Sequence, residues 1–151
     1  MIAVYRPADA EQMIRLRYIT EVFMHRLLLI EPAYEFTSKN EILLTGHISA
    51  DMDPYTPTVF PTLSKFLAKV DGYPIIGVET RDIGESLGLY DHPFGSNVVY
   101  LIGRPTTGLP RHLRELCVAV VYVDTPDGGS ALSTDIVGAL TLYDRHVKMG
   151  D

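Results

Sequence analysis

Short runs of apolar residues alternate along the chain with longer stretches in which apolar residues recur at helical spacing. The first run, IAVY at 2–5, predicts a buried strand, and RLLLI at 26–30 predicts a second one suited to a parallel sheet. Between them, Asp9 fits a helix N-cap, with Gln12 three residues later as its capping-box partner. The predicted buried stripe of this helix comprises Met13, Leu16, Ile19, Val22 and Phe23. The first thirty residues therefore predict a β-α-β unit.

The same alternation resumes after a less regular middle section, in which 41–48 fit either a helix or a strand and 50–58 fit a loop. The elements predicted beyond it are a helix at 62–70, a strand at 74–80, a loop at 81–97, a strand at 98–102, a helix at 108–116 with Pro110 in its first turn, a strand at 118–123 and a closing helix capped by Ser133. Strands that alternate with helices predict an α/β fold with a mostly parallel sheet flanked by helices. At 151 residues, a single domain over 1–151 is expected.

Composition narrows the classes of protein that fit. Cys117 is the only cysteine, so an intrachain disulfide is impossible, and the five histidines lie too far apart to suggest a metal site. No secretory signal pattern and no apolar run of about 20 residues is present, so we expect a soluble cytoplasmic protein without a membrane partner.

The net charge of −6 is unevenly distributed. Residues 31–100 carry 4 basic and 10 acidic side chains, whereas residues 1–30 carry 4 and 3, and residues 101–151 carry 5 and 6. The acidity is concentrated in the middle, which leaves room for a local basic surface formed by the two ends.

One loop has the composition of a ligand-holding segment. GRPTTGLP, at 103–110, contains two glycines, two prolines and two threonines between a predicted strand and a predicted helix. Such a segment is a shaped loop with several free backbone amides. No Gly-x-Gly-x-x-Gly follows the first strand and no Walker lysine follows a glycine loop, which argues against a plain Rossmann or P-loop enzyme. An ordinary strand-to-helix loop is the alternative at this point.

Four stretches together resemble the SPOUT class of S-adenosylmethionine-dependent RNA methyltransferases, in its TrmH-like branch that methylates ribose 2′-hydroxyls. That branch has G-x-E-x-x-G-L-[PS] after a strand, then a further strand, then S-x-N before a helix ending in L-Y-E, and P-x-N-x-G-x-I-x-R near its start. The corresponding stretches here are IGRPTTGLP at 102–110, VVYV at 120–123, ALSTDIVGALTLYD at 131–144 and PADAEQMIR at 7–15. The order of elements matches from Ile2 to Tyr143.

The resemblance implies a C-terminal trefoil knot, S-adenosylmethionine as cofactor, RNA as substrate with tRNA favoured, and a homodimer. The helices at 10–23 and 134–147 carry more apolar surface than one sheet face can cover, so we expect them to form the dimer interface. It also implies that the cofactor is held mostly by backbone groups. The residues that would supply them are Val78, Ile102, Gly103, Gly108, Val123, Ala131 and Leu132.

The same resemblance implies two candidate catalytic residues, Arg15 and Ser133. In the family, the arginine assists deprotonation of the ribose hydroxyl or holds the adjacent phosphate, and a guanidinium fork suits the second role well. A solvated helix face is the alternative for Arg15, and a helix N-cap is the alternative for Ser133. Tyr143 fits either the site or the apolar stripe of the closing helix.

Three departures from the family pattern bear on catalysis. Pro105 replaces a glutamate, Ser133 replaces an asparagine, and Asp9 with Glu11 replace an asparagine and a glycine. A carboxylate at Glu11 is unfavourable beside a site for polyanionic RNA. The sequence therefore leaves open a degenerate SPOUT domain that binds a macromolecular partner, and an unrelated α/β binding module as a third possibility.

Overall fold

The structure is a computed structural model that describes residues 1–32, 55–105, 107–126 and 132–150. The predictions for 41–48, for most of 50–58 and for Ala131 lie outside these ranges. Within them, no helix combines the length and apolar character needed to cross a membrane.

The described residues form a seven-stranded sheet in the order β3-β2-β1-β6-β4-β7-β5, in which all neighbouring strands are parallel. The strands are β1 (Ile2–Tyr5), β2 (Leu27–Ile30), β3 (Thr58–Phe60), β4 (Ile75–Glu79), β5 (Glu85–Ser86), β6 (Val99–Ile102) and β7 (Ala119–Tyr122). The helices are α1 (Ala10–Val22), α2 (Leu63–Lys69), α3 (Arg111–Arg114) and α4 (Thr134–Met149), with a 3₁₀ turn at Leu87–Leu89. The predicted α/β class with a parallel sheet is confirmed.

The two outermost strands are the elements that the sequence pattern missed. Thr58–Phe60 begins at the last residue of the loop predicted at 50–58 and continues into residues for which no element was predicted, and Glu85–Ser86 lies within the loop predicted at 81–97. Strands of two or three residues at the sheet edges are too short to show the apolar run that marks the central strands. The predicted helix at 108–116 is also shorter than expected, because α3 covers only Arg111–Arg114 and Pro110 precedes it.

Asp9 caps the amino terminus of α1 as predicted, but the capping box predicted with the Gln12 side chain does not form. The Asp9 carboxylate accepts a hydrogen bond from the Gln12 amide at 3.1 Å. The Gln12 side chain does not complete a capping box, because its Oε1 accepts from the Thr134 backbone N–H at 3.2 Å. Gln12 thereby satisfies one of the free amides at the start of α4 and joins the two helices.

The buried face of α1 differs from the predicted stripe. Met13 and Leu16 are buried as expected, but Val22 is 76% exposed, and Arg17 and Thr20 are buried in addition. This helix packs against both the sheet and α4, so its buried surface is wider than a single stripe. The prediction for Val22 is wrong because the last turn of α1 lines an open groove.

A polar network fixes the loop before β6 to α4. His92 lies with its Nδ1 at 2.6 Å from the Tyr100 hydroxyl and its Nε2 at 2.6 Å from Asp144. Burial lowers the pKa of His92, although Asp144 opposes the shift. A neutral imidazole accepts from Tyr100 and donates to Asp144, while Arg145 donates to the Tyr100 oxygen at 2.9 Å.

Candidate ligand site at the carboxyl edge of the sheet

Three adjacent strands, β6, β4 and β7, end together at one edge of the sheet. Val78 is in register with both Ile102 and Val121. Gly103 and Val123 directly follow β6 and β7. The carboxyl ends of parallel strands are where ligands bind in open α/β sheets. The structure therefore brings together four of the residues predicted to hold a cofactor, namely Val78, Ile102, Gly103 and Val123.

The loop after β6 is folded tightly on itself. Gly108 donates to the Arg104 carbonyl at 2.7 Å, and these two residues form an antiparallel bridge. A Cβ added at Gly103 would lie 2.5 Å from the Gly108 carbonyl carbon, and Gly108 has a φ of +68°. Both glycines are therefore required by the loop's own geometry.

Two side chains at the end of β4 anchor this loop. Glu79 is 2% exposed and accepts a hydrogen bond from the Leu109 amide at 3.0 Å. Thr80 donates through its hydroxyl to the Pro105 carbonyl at 3.0 Å. Burial raises the pKa of Glu79, and the Leu109 amide partly offsets that shift. Glu79 thus supplies a loop-anchoring carboxylate from the neighbouring strand, whereas Pro105 replaces the glutamate of the family pattern.

Arg15 is held by a carboxylate that the sequence analysis did not single out. Its Nε lies 2.8 Å from Oδ2 of Asp135, whose side chain is 6% exposed, while Arg15 itself is 54% exposed. The hydrogen bond to Asp135 raises the pKa of Arg15. Burial by itself would raise the pKa of Asp135. The hydrogen bonds from Arg15 and Ser133 lower it by more, and the pKa of Asp135 therefore lies below its usual value. Arg15 is therefore an anchored cation with its outer part in solvent.

Ser133 occupies the N-cap position of α4 without making a side-chain capping bond. Its hydroxyl bonds instead to the Asp135 carboxylate. The prediction that Ser133 caps the helix through its side chain is wrong, because Gln12 bonds the first amide of α4 and Asp135 engages the hydroxyl. An acidic residue in the first turn of a helix is common, so the position of Asp135 in the sequence does not indicate its role.

A cavity of about 240 Å³ lies between the start of α1 and the loop after β6. Asp9 and Gln12 line it on one side, and Gly103, Arg104 and Pro105 on the other. Arg15 is one turn beyond Gln12 on α1. The cavity is therefore lined by the glycine loop and by the start of α1, and Arg15 follows its lining residue Gln12 by three positions.

A much smaller cavity, of about 20 Å³, lies between the loops that follow β4 and β7. It is lined in part by Thr80, Asp82, Tyr122 and Val123. A hydrogen bond to Asp82 raises the pKa of the Tyr122 hydroxyl. This space has room for about one water molecule.

The remaining predicted residues have mixed outcomes. Leu132 is partly buried and packs against the same core cluster as Val123. Tyr143 is 59% exposed on the outer face of α4, so the alternative that placed it in the core is wrong. Ala131 lies outside the described residues.

No protein-family model matches the sequence, and no curated protein matches it significantly. Solved structures do resemble it. A protein from Bacillus anthracis proposed to be an RNA methyltransferase has a TM-score of 0.78 at 16% identity, over 99% of this chain and 93% of that one. A structure concerning 2-OH methylation of C/U34 on tRNA has a TM-score of 0.73 at 15% identity, over 99% and 90%.

A third similar structure contains a cofactor. The SpoU methyltransferase AviRb from Streptomyces viridochromogenes, in complex with S-adenosylmethionine, has a TM-score of 0.70 at 18% identity, over 95% of this chain and 57% of that one. At these identities the likeness concerns the fold. The resemblance noted in the sequence is thereby confirmed at that level, and the chain has the fold of the TrmH/SpoU RNA methyltransferases.

Proposed function

We propose that this protein is an S-adenosylmethionine-dependent RNA methyltransferase that acts on a ribose 2′-hydroxyl, with tRNA as its substrate. One observation carries the proposal: buried Asp135 fixes the guanidinium of Arg15, and the neighbours Gln12 on α1 and Thr134 on α4 line the cavity that the glycine loop also lines. Support comes from similar folds, one bound to S-adenosylmethionine and one concerned with 2-OH methylation of tRNA.

The chemistry of the carboxyl edge fits this cofactor. Backbone groups at the ends of β4, β6 and β7 would hold it, from Val78, Ile102, Gly103, Gly108, Val123, Ala131 and Leu132. Oε2 of Glu79 is a buried acceptor without a hydrogen-bond partner among the described residues, and it lies beside Gly108. When bound, the cofactor supplies an electrophilic methyl group.

Arg15 acts in this proposal as a fixed cation. Its raised pKa keeps the guanidinium protonated, so it stabilises negative charge on a phosphate or on the ribose oxygen and does not accept a proton. Asp135 fixes its orientation, and Ser133 in turn bonds Asp135. Arg15 therefore keeps its predicted catalytic role, while Ser133 becomes a positioning residue.

We expect Arg15→Ala to reduce transfer of labelled methyl from S-adenosylmethionine to bulk tRNA by about 100-fold, the usual loss on removal of one preorganised donor. Arg15→Lys retains the charge without the fork and is expected to have an intermediate rate. Arg111→Ala is the matched control, because Arg111 is an exposed arginine paired with Glu115 on α3.

Three results would contradict the proposal in different ways. Cofactor binding without any methyl transfer by the natural protein would favour a degenerate binding domain. No cofactor binding in a calorimetric titration would remove the methyltransferase assignment altogether. Equal rates for the natural protein and Arg15→Ala would remove Arg15 from the mechanism.

We also infer, from the fold likeness, that the segment after β6 is threaded as a trefoil knot and that the protein is a homodimer. An exposed apolar stripe on α4 supports the dimer. Its members recur at intervals of four, three and four residues, and they are Ile136, Leu140, Tyr143 and Val147. Exposed Tyr18 and Val22 of the adjacent α1 extend this surface. Contiguous apolar surface of this kind marks interfaces between proteins.

Leu140→Glu is expected to convert the dimer to a monomer, because it places a charge in the centre of this stripe. Light scattering on a sizing column measures the mass of both proteins. Val118→Glu is the control, since Val118 is 68% exposed and directly precedes β7, outside both α1 and α4. A natural protein that is monomeric at micromolar concentration would contradict the dimer.

A further inference from the structure

A second large cavity opens at the opposite, amino edge of the sheet. This groove has a volume of about 850 Å³, within the usual range for small-molecule sites. Its walls come from the last turns of α1, α2 and α4 and from residues at or just before the starts of several strands. The residues important here are Phe23, Arg26, Lys69, Tyr73, Asn97 and His146. Four-residue strands separate it from the carboxyl edge, a distance of about 13 Å.

The charge of the groove contrasts with that of the chain. The protein has a net charge of −6, yet none of the described residues that line the groove is an aspartate or a glutamate. Arg26 and Lys69 are both exposed, and neither forms an ion pair with a carboxylate in the described part of the chain. His25 and His146 add two imidazoles. A concave surface whose described charged side chains are all basic favours an anionic ligand.

The groove also offers flat apolar surface and polar groups. The rings of Phe23 and His146 lie 6.1 Å apart at an angle of 60°, and Tyr73 contributes a partly exposed third ring. Asn97 and Ser96 add an amide and a hydroxyl that can bond the edge of a heterocycle. Aromatic rings beside basic side chains are the combination that binds a base together with its phosphate.

We propose that this groove is a nucleotide-binding site, separate from the carboxyl-edge site. Arg26 and Lys69 hold the phosphate, and the base lies against Phe23 and Tyr73. The ligand is a nucleotide, either free or within a single-stranded RNA. This site stands independently of the methyltransferase proposal, because it shares no residue with the carboxyl edge.

Calorimetric titration of the full chain tests the site with three probes: adenosine 5′-monophosphate, inorganic phosphate and a short single-stranded oligoadenylate. Each titration is repeated with saturating S-adenosylmethionine. The double variant Arg26→Ala/Lys69→Ala is expected to weaken nucleotide binding at least about tenfold, because it removes the charge-assisted bonds to phosphate. Tyr73→Leu is expected to weaken the nucleotide but not inorganic phosphate.

Lys65→Ala is the matched control, since Lys65 is an exposed lysine on the same helix as Lys69 but does not line the groove. It is expected to leave the affinity unchanged. Arg26, Lys65 and Lys69 are all exposed, so the variants that replace them are expected to fold. Far-UV circular dichroism checks that each variant is folded.

The probes separate the possible outcomes. Tight binding of oligoadenylate with weak binding of the mononucleotide identifies RNA as the source of the ligand, and comparable affinities identify a free nucleotide. Competition by S-adenosylmethionine, or an affinity that the double variant does not change, would place the nucleotide elsewhere and overturn the site. Two further results would overturn the site: inorganic phosphate that binds as tightly as the nucleotide, and no measurable heat with any probe at millimolar concentration.

Discussion

Gly103→Ala is expected to lower the free energy of unfolding by about 3 kcal/mol, near the upper end of the usual range for overpacking. The added methyl group would lie 2.5 Å from the carbonyl carbon and oxygen of Gly108 and 2.7 Å from the Leu109 nitrogen. These neighbours are backbone atoms in a loop that Glu79 and Thr80 anchor, so they cannot turn away as a flexible side chain would. The loop must open for the variant to fold.

Chemical denaturation followed by circular dichroism measures the effect. A loss of 3 kcal/mol corresponds to a fall in Tm of about 6–12 °C for a chain of this length. Gly88→Ala is the matched control, because a Cβ there would meet only the Ser86 hydroxyl oxygen at 3.7 Å. Equal stabilities for the two variants would mean that the loop after β6 is not tightly folded.

Arg145→Ala is expected to lower the free energy of unfolding by about 3–5 kcal/mol. Arg145 is 1% exposed and donates at 2.9 Å to each of three acceptors: the Tyr100 hydroxyl and the carbonyls of Pro93 and Gly95. The substitution leaves a cavity and deprives these buried or half-buried acceptors of their donor. The loop before β6 would lose its attachment to α4.

Two variants separate the causes of this loss. Arg145→Met keeps most of the volume without the donors, so a stability close to that of Arg145→Ala would identify hydrogen bonding as the main contribution. Arg111→Ala is the control for removal of an arginine, because Arg111 is 85% exposed and its pairing with Glu115 contributes less than about 1 kcal/mol. A loss below about 1 kcal/mol for Arg145→Ala would contradict the structural role of the network.

The central strands and the main helices could be predicted because their signals are local. Ile2–Tyr5 and Leu27–Ile30 are continuous apolar runs, and Asp9 begins α1 where its capping geometry requires. Thr58–Phe60 and Glu85–Ser86 carry no such signal, since their strand conformation depends on pairing with β2 and β7. Edge strands of this kind are defined by their neighbours.

The candidate site could be predicted only where it depends on the backbone. The composition of the loop at 103–110 indicated tight chain geometry, and the glycines at its two ends provide it. Its anchor was missed because Glu79 and Leu109 are 30 positions apart in the chain. Arg15 and Asp135 are 120 positions apart, so no local pattern connects them.

The amino-acid sequence by itself determined the parallel α/β architecture and the tight loop after β6, because apolar runs, caps and glycines act through the nearest residues. The tertiary structure alone decided which carboxylate fixes Arg15, why the Ser133 side chain makes no capping bond to α4, and that basic and aromatic side chains line a groove at the amino edge. These features depend on how α1 and α4 pack together and on which strand ends become neighbours. Such contacts join distant parts of the chain, and their geometry exists only once the sheet and its helices have assembled.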